Sequence, residues 1–443
     1  MAKDLTTAAI AHSVPEIQQA LAHLWKRRVE RLDRGGESRA AGGESGAGTG
    51  ESGSSGTGAG GGAGGDRVDA RHDSGDAAGA SARDHFVAAR SSVLNLVVVA
   101  GHQETAERCA AIISATAGRH PSRSLILSSL DPEGPPGLTA RVEGVSVTAS
   151  VGAAETGAET IYVAAHGETT RHLASIIVPL LVRDLPVALW WPSDPQFGSH
   201  RADRLLPLAD RLIVDGSSWS GDGLDRLSAM ARAAERERFV VADFALLRQA
   251  RWREALASVY DLPDLRPHLR SIRSITVEYA APGESASLTN IVRPVYHVAW
   301  LASRLGMSVV EPMRRRPDGR RLATLRQAEH QVAVEWRPVE SGLGHGSTVS
   351  VEILSRLRGA ELVGNVTAGD RTVEVAIHDN GRERVRRTYV APRLNDVDLL
   401  ERAVEDSAAD PLAGETLAMA GRLTATEPAP RGSAEQARSD VDD

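Results

Sequence analysis

Between Ser91 and about Tyr260 the chain alternates short apolar runs with segments of helical period, and no other feature restricts its fold as much. Val93-Leu94-Asn95-Leu96-Val97-Val98-Val99-Ala100 is a continuous run rich in β-branched residues, as expected of a strand covered on both faces. Comparable runs follow at Leu125-Ile126-Leu127, Ile161-Tyr162-Val163-Ala164-Ala165, Pro186 to Trp191, Leu212-Ile213-Val214 and Phe239-Val240-Val241. Between them lie helical stripes: Ala106, Cys109, Ala110 and Ile113 in one, and Leu173, Ile176, Ile177, Leu180 and Leu181 in another. Pro179 inside the second stripe predicts a kink or an early end. Further helices are predicted near Leu205, near Leu227 and from Ala245 to Val259. Ala140 to Thr148 alternates strictly through Val142, Val145 and Val147, which predicts an antiparallel or edge strand. Strands spaced by helices make an α/β domain with a largely parallel sheet, expected over residues 85–265.

The pattern changes near Ser271. A strand at Ile275 to Tyr279 and a long helix through Ile291, Val295, Val298, Ala299, Ala302 and Leu305 lead into alternating strands. These are Val332 to Trp336, Val349 to Leu354, Leu362 to Val366, Val373 to Ile377 and Val385 to Val390, with Asn380-Gly381 as a strong hairpin turn. Two helices, Val397 to Val404 and one near Leu417, close an α+β domain over 266–423 built on an antiparallel meander. The expected fold class is therefore α/β plus α+β.

Ahead of both, a helix is expected over residues 13–33, within an N-terminal unit of residues 1–33. Ser13 and Glu16 form a capping box with Pro15 in the first turn, and Ile17, Leu21 and Leu24 make an apolar face beside Trp25. Residues 34–84 cannot bury a core: 15 of the chain's 42 glycines fall between Gly35 and Gly65, among serine, alanine and glutamate. A flexible linker is expected there, and a disordered tail over 424–443. The GxGxxG match at Gly60 to Gly65 follows no strand and opens no helix, so it is a low-complexity coincidence.

Composition then narrows the chemistry. The net charge of -7 argues against nucleic acid or an anionic membrane as partner, and no apolar run approaches the ~20 residues of a span. With no secretion-signal layout at the start, a cytoplasmic protein is expected. One cysteine, Cys109, excludes an intramolecular disulfide framework, a four-cysteine zinc site and a CxxC pair. Lysine occurs only at Lys3 and Lys26, so the folded body offers none for a phosphate loop or Schiff base. GxSxG, HExxH and GxxxxGK[ST] are all missing, and His166 with His172 has no standard ligand spacing, so no catalytic residue, metal or cofactor is expected.

Three segments carry alternatives. Thr169, Thr170 and Arg171 lie where a parallel strand hands over to a helix; they either hold an anion on the helix N-terminus or merely cap it. At Asp184 to Phe197, adjacent Trp190 and Trp191 either lie in the core, one under each sheet face, or join Pro192, Asp194 and Phe197 in a recognition surface. Arg314-Arg315-Arg316 and Arg320-Arg321 flank Pro317-Asp318-Gly319, a basic turn that either contacts nucleic acid, without an interleaved aromatic platform, or is a solvated loop or the contact for an acidic protein partner; one of the latter two is expected.

Ser92 to Val98, His120-Pro121-Ser122-Arg123-Ser124, Val178 to Pro192 with its double tryptophan, Leu208 to Asp215 with Trp219, and Arg251-Trp252-Arg253-Glu254 resemble the OpcA family. These are the glucose-6-phosphate dehydrogenase assembly proteins of actinobacteria, cyanobacteria and relatives. The resemblance spans roughly Ser91 to Pro392 together with the N-terminal helix. It implies a non-catalytic partner that binds and activates the dehydrogenase at the entry of the oxidative pentose-phosphate route. Some relatives are thought to respond to redox through cysteines, which a single cysteine precludes as an intramolecular switch. The competing expectation is an α/β enzyme or binding module for a phosphorylated small molecule.

Overall fold

Two eight-stranded sheets organise the residues that the computed structural model describes, which are 3–24, 26, 92–148, 155–282, 288–405 and 411–425. The expected linker over 34–84, and the tail from residue 426 onward, lie outside them.

The first sheet contains β1 (Lys3–Ala11), β2 (Leu94–Val99), β3 (Ser122–Asp131), β4 (Gly137–Thr148), β5 (Glu155–His166), β6 (Val187–Trp191), β7 (Arg211–Val214) and β8 (Val240–Asp243). Their order is β1-β4-β5-β3-β2-β6-β7-β8. The six strands from β5 to β8 run parallel, and β4 and β1 add an antiparallel edge. This is the doubly wound order whose direction reverses between β2 and β6. Its helices are α1 (residues 14–24), α2 (Gln103–Thr116), α3 (Leu173–Ile177), α4 (His200–Leu205), α5 (Leu224–Glu237), α6 (Phe244–Leu247) and α7 (Ala250–Tyr260). Helix α3 stops before Pro179, and a 3-10 turn over Val178–Leu180 takes its place, as the proline predicts.

The N-terminal helix begins at 14, just after its expected cap Ser13, and residues 3–11 ahead of it form β1, a strand that was not expected. Strand β1 escapes sequence reading because Thr6-Thr7-Ala8-Ala9 carries little apolar alternation and pairing with β4 decides the conformation. The capping box is present in a shifted form: Ser13 Oγ accepts from the Glu16 amide at 3.4 Å, and Glu16 Oε2 accepts from the amide of His12, one residue before the cap, at 2.9 Å. Ile17, Leu21 and Leu24 pack into the core on this sheet, and Gly144 of β4 leaves the room that Leu24 fills.

The second sheet runs β10-β11-β12-β9-β13-β14-β15-β16. Its strands are β9 (Ile272–Ala280), β10 (Ser308–Arg315), β11 (Arg321–Gln327), β12 (His330–Val339), β13 (Thr348–Leu357), β14 (Ala360–Ala368), β15 (Thr372–Asp379) and β16 (Arg382–Val390). All neighbours are antiparallel except β9 and β12, because β9 inserts into the middle of the meander. Helix α8 (Val292–Arg304) carries ten buried residues and lies in the core that runs continuously into the first sheet. The α9 (Asp396–Glu405) and α10 (Pro411–Leu423) helices turn back: Leu399, Leu400 and Ala403 of α9 join Cys109 of α2 on the outer face of the first sheet.

Cys109 is wholly buried in that cluster, and burial pushes its thiol up to about 12. A buried, protonated thiol is a poor nucleophile. We expect an aromatic disulfide reagent to find essentially no reactive thiol in the native protein at pH 8, and one per chain after denaturation.

Candidate functional site: an arginine-lined cavity between the sheets

Strands β7 and β8 end in acidic residues, and the site grows from them. Asp243 closes β8 and is 2% exposed. Its Oδ1 accepts the amides of Gly216 at 2.9 Å and Ala245 at 2.8 Å, and its Oδ2 accepts the Tyr296 hydroxyl of α8 at 2.8 Å. Burial, reinforced by the charge of Asp215, nevertheless raises its pKa to about 6 against the pull of these three donors. Asp215, just beyond β7, accepts from Ser217 and pairs with Arg248 at 2.8 Å.

Beside Arg248, the partner of Asp215, lies a cavity of about 480 Å³ that neither Asp215 nor Asp243 lines. Arg248, Gln249, Arg251 and Trp252 line it from the α6–α7 junction, Arg293 and His297 from α8, and Arg402 from α9. Loops around 343–348, 368–373 and 391–394 of the second sheet complete the wall. Five arginines (Arg248, Arg251, Arg293, Arg393 and Arg402) face a single lining carboxylate, Asp370, which Arg393 engages at 3.2 Å. Arg251 pairs with Glu254 at 2.6 Å. Arg293 and Arg402 have no carboxylate within ion-pair distance among the described residues. Arg293 donates to the hydroxyls of Ser217 at 3.1 Å and Ser347 at 3.4 Å, and its Nε has no partner. Burial, aided by Arg248, lowers its pKa. His297 stacks at a tilt on Trp252 with centroids 4.9 Å apart, and burial, then the charge of Arg253, pushes its pKa down to about 3, so it is neutral at physiological pH.

The sequence-predicted residues lie elsewhere. Trp190 and Trp191 are 3% and 5% exposed and enter different core clusters, one on each face of the first sheet. Pro192, Asp194 and Phe197 are half-buried in the loop beyond β6, where Asp194 accepts from Ser220 Oγ at 2.8 Å and pairs with Arg226. The turn after β5 is a 3-10 segment, Gly167–His172: the buried Thr170 hydroxyl donates to Gly167 O at 2.9 Å, and exposed Arg171 pairs with Glu168 at 3.0 Å. Half-buried Thr169 lies beside them. Of the basic turn, Arg321 is buried against Asp222 and the Tyr279 hydroxyl, so at least that arginine is structural. Arg251 and Trp252 belong to a segment that carries the family resemblance, but the other cavity arginines are scattered from 248 to 402 with no common spacing. Arg293, a charge inside the largely apolar stretch Ile291 to Ala302, was a second available signal.

At the switch point, the turn from β2 into α2 reads Gly101-His102-Gln103-Glu104-Thr105-Ala106. Gly101 has the positive φ of 74° that begins a dinucleotide turn. Gln103 stands where a second glycine would let the backbone approach a pyrophosphate, and Glu104 places negative charge in the first turn of α2.

The architecture defines a doubly wound α/β protein extended by a second, mostly antiparallel sheet. Residues 113–232 match the family profile of the glucose-6-phosphate dehydrogenase subunit N-terminal domain, and residues 240–417 match that of its C-terminal domain. The chain belongs to the OpcA family of glucose-6-phosphate dehydrogenase assembly proteins. It is 28% identical over 138 residues to the OxPP cycle protein OpcA of Synechocystis sp., a match that covers 31% of this chain and 27% of that relative. Among solved structures, the 3-ketoreductase KijD10 of Actinomadura kijaniata aligns at 13% identity and a TM-score of 0.40, over 74% of this chain and 95% of that one. The transcriptional regulator Gal80p of Kluyveromyces lactis aligns at 9% and 0.41, over 76% and 88%. Likeness this distant carries no argument about activity.

The buried Asp243 gives a pH signature. The native state takes up its proton near pH 6, whereas an unfolded aspartate does so near 3.8, so between these values the native state holds more protons and stability from this group rises as pH falls. His297 acts oppositely, because only the unfolded chain charges it below about 6.5. We expect the stability of wild type relative to Asp243→Asn, from denaturant unfolding, to increase between pH 7 and pH 4.5. A difference that stays flat across that range contradicts the assignment.

Proposed function

We propose that this chain is a non-catalytic partner of glucose-6-phosphate dehydrogenase, which it binds and whose active oligomer it promotes in the cytoplasm. Membership of the assembly family is the observation that carries the reading. The Gln103 and Glu104 side chains in the β2–α2 turn support it, since they oppose dinucleotide chemistry at the place where this strand order ordinarily performs it. Activation asks little of the contact: a ~10-fold shift toward the active enzyme needs about 1.4 kcal/mol of preferential binding.

For the contact surface we favour the loop from Pro192 to Phe197. It leaves the open end of β6, and the buried Trp190 and Trp191 anchor its base on both faces of the sheet. In this reading the tryptophans position the loop, while Pro192, Asp194 and Phe197 meet the partner.

Purified dehydrogenase mixed with this chain should co-elute with it and turn over faster at sub-saturating glucose 6-phosphate. Unchanged rate together with separate elution would sink the proposal. Trp191→Ala should lose about 3–5 kcal/mol of stability, as large core deletions do. Asp194→Ala should stay folded by circular dichroism and lose most of the activation; full activation by that variant moves the surface elsewhere.

A further inference from the structure

We propose that the arginine-lined cavity binds a phosphorylated small molecule, with the phosphate on Arg293 and Arg402 and the organic part against Trp252.

Size is the first consideration. About 480 Å³ lies within the roughly 300–1,000 Å³ of small-molecule sites. Charge is the second. Five guanidiniums share a wall with one carboxylate, and two of them lack any carboxylate partner among the described residues. Such an excess of like charge costs stability unless an anion or solvent ions offset it, and guanidinium pairs well with phosphate through parallel hydrogen bonds. Third, Trp252 is half-buried and gives the cavity an aromatic wall.

That wall suits the ring of a sugar or a nucleobase on the phosphate. The shared chemistry is a phosphate ester of a polar molecule, and a sugar phosphate and a nucleotide are its two sources. The site is separate from the β2–α2 turn and from the loop beyond β6.

Calorimetric titration of the full chain, without dehydrogenase, tests this directly. The probes are glucose 6-phosphate, ADP, inorganic phosphate and glucose. At least one ester should bind saturably, at least about tenfold tighter than inorganic phosphate, with no heat from glucose. Which ester binds identifies the source. Arg402 is exposed and unpaired, so Arg402→Ala should fold normally and weaken the ester about 3- to 10-fold; Arg293→Gln should weaken it more. Arg183→Ala, an exposed arginine away from the cavity, should change nothing. Three results would overturn the proposal: no saturable ester binding to 10 mM, inorganic phosphate or glucose binding as tightly as the ester, or ester affinity unaffected by Arg402→Ala.

Discussion

The join between the sheets depends on one buried carboxylate. Asp243 ends β8, holds the turn after β7 through the Gly216 amide, starts α6 through the Ala245 amide, and reaches α8 through Tyr296. Taking a carboxylate out of water is costly, and three donors at 2.8–2.9 Å are what make it tolerable here. The fit leaves no slack: a Cβ on Gly216 would lie 2.6 Å from Asp243 Oδ2 and 2.8 Å from Val292 Cγ1. The same loop is fastened again by Asn290, whose amide donates to Gly216 O and Trp219 O, and by Asp222, which pairs with the buried Arg321 of β11 at 2.9 Å. These polar contacts fix direction where apolar packing alone would permit sliding.

The cavity follows from that geometry. Parallel strands place their C-terminal ends at one edge, and α8 brings the second sheet to the same edge. Loops of the second sheet and the returning α9 then face the ends of β7 and β8. Arg248 is neutralised by Asp215, whereas Arg293, entering from α8, hydrogen-bonds to hydroxyls and feels Asp215 and Asp243 only through their charge, without an ion pair among the described residues. The excess charge therefore arises from topology, which assembles arginines that no local segment concentrates.

Much of the fold was legible because burial imposes period. Continuous runs such as Val93 to Ala100 can only be doubly covered strands, and Trp190-Trp191 could be read as one indole per face because consecutive strand residues point opposite ways. Several family-bearing residues turn out to serve this scaffold: Asn95 is fully buried, with its amide bonded to Val182 and Leu185 carbonyls, and Arg123 pairs with buried Glu159. What stayed hidden was whatever depends on pairing partners distant in the chain. Strands β1, β10 and β11 carry weak patterns, and Arg321 looks like part of a basic turn until Asp222 and Tyr279 close on it. The cavity was illegible for the same reason, its wall being drawn from six separate stretches between Leu247 and Arg402.

Two regions of one scaffold thus have opposite character toward phosphate. At the switch point, Glu104 and Gln103 oppose a pyrophosphate that this strand order could otherwise seat. At the join, Arg293 and Arg402, without an ion-paired carboxylate among the described residues, favour an anionic ester. An occupant there would touch α7, α8, α9 and loops of the second sheet at once, so its binding free energy would depend on how these elements are placed against one another. Linkage then sets the limit: such a ligand can bias the chain's affinity for a partner only by the difference in its own affinity for the free and bound arrangements, and the partner must bias ligand affinity by the same factor. A site within the join is better placed to create that difference than one in the β2–α2 turn, which is built within the first sheet alone.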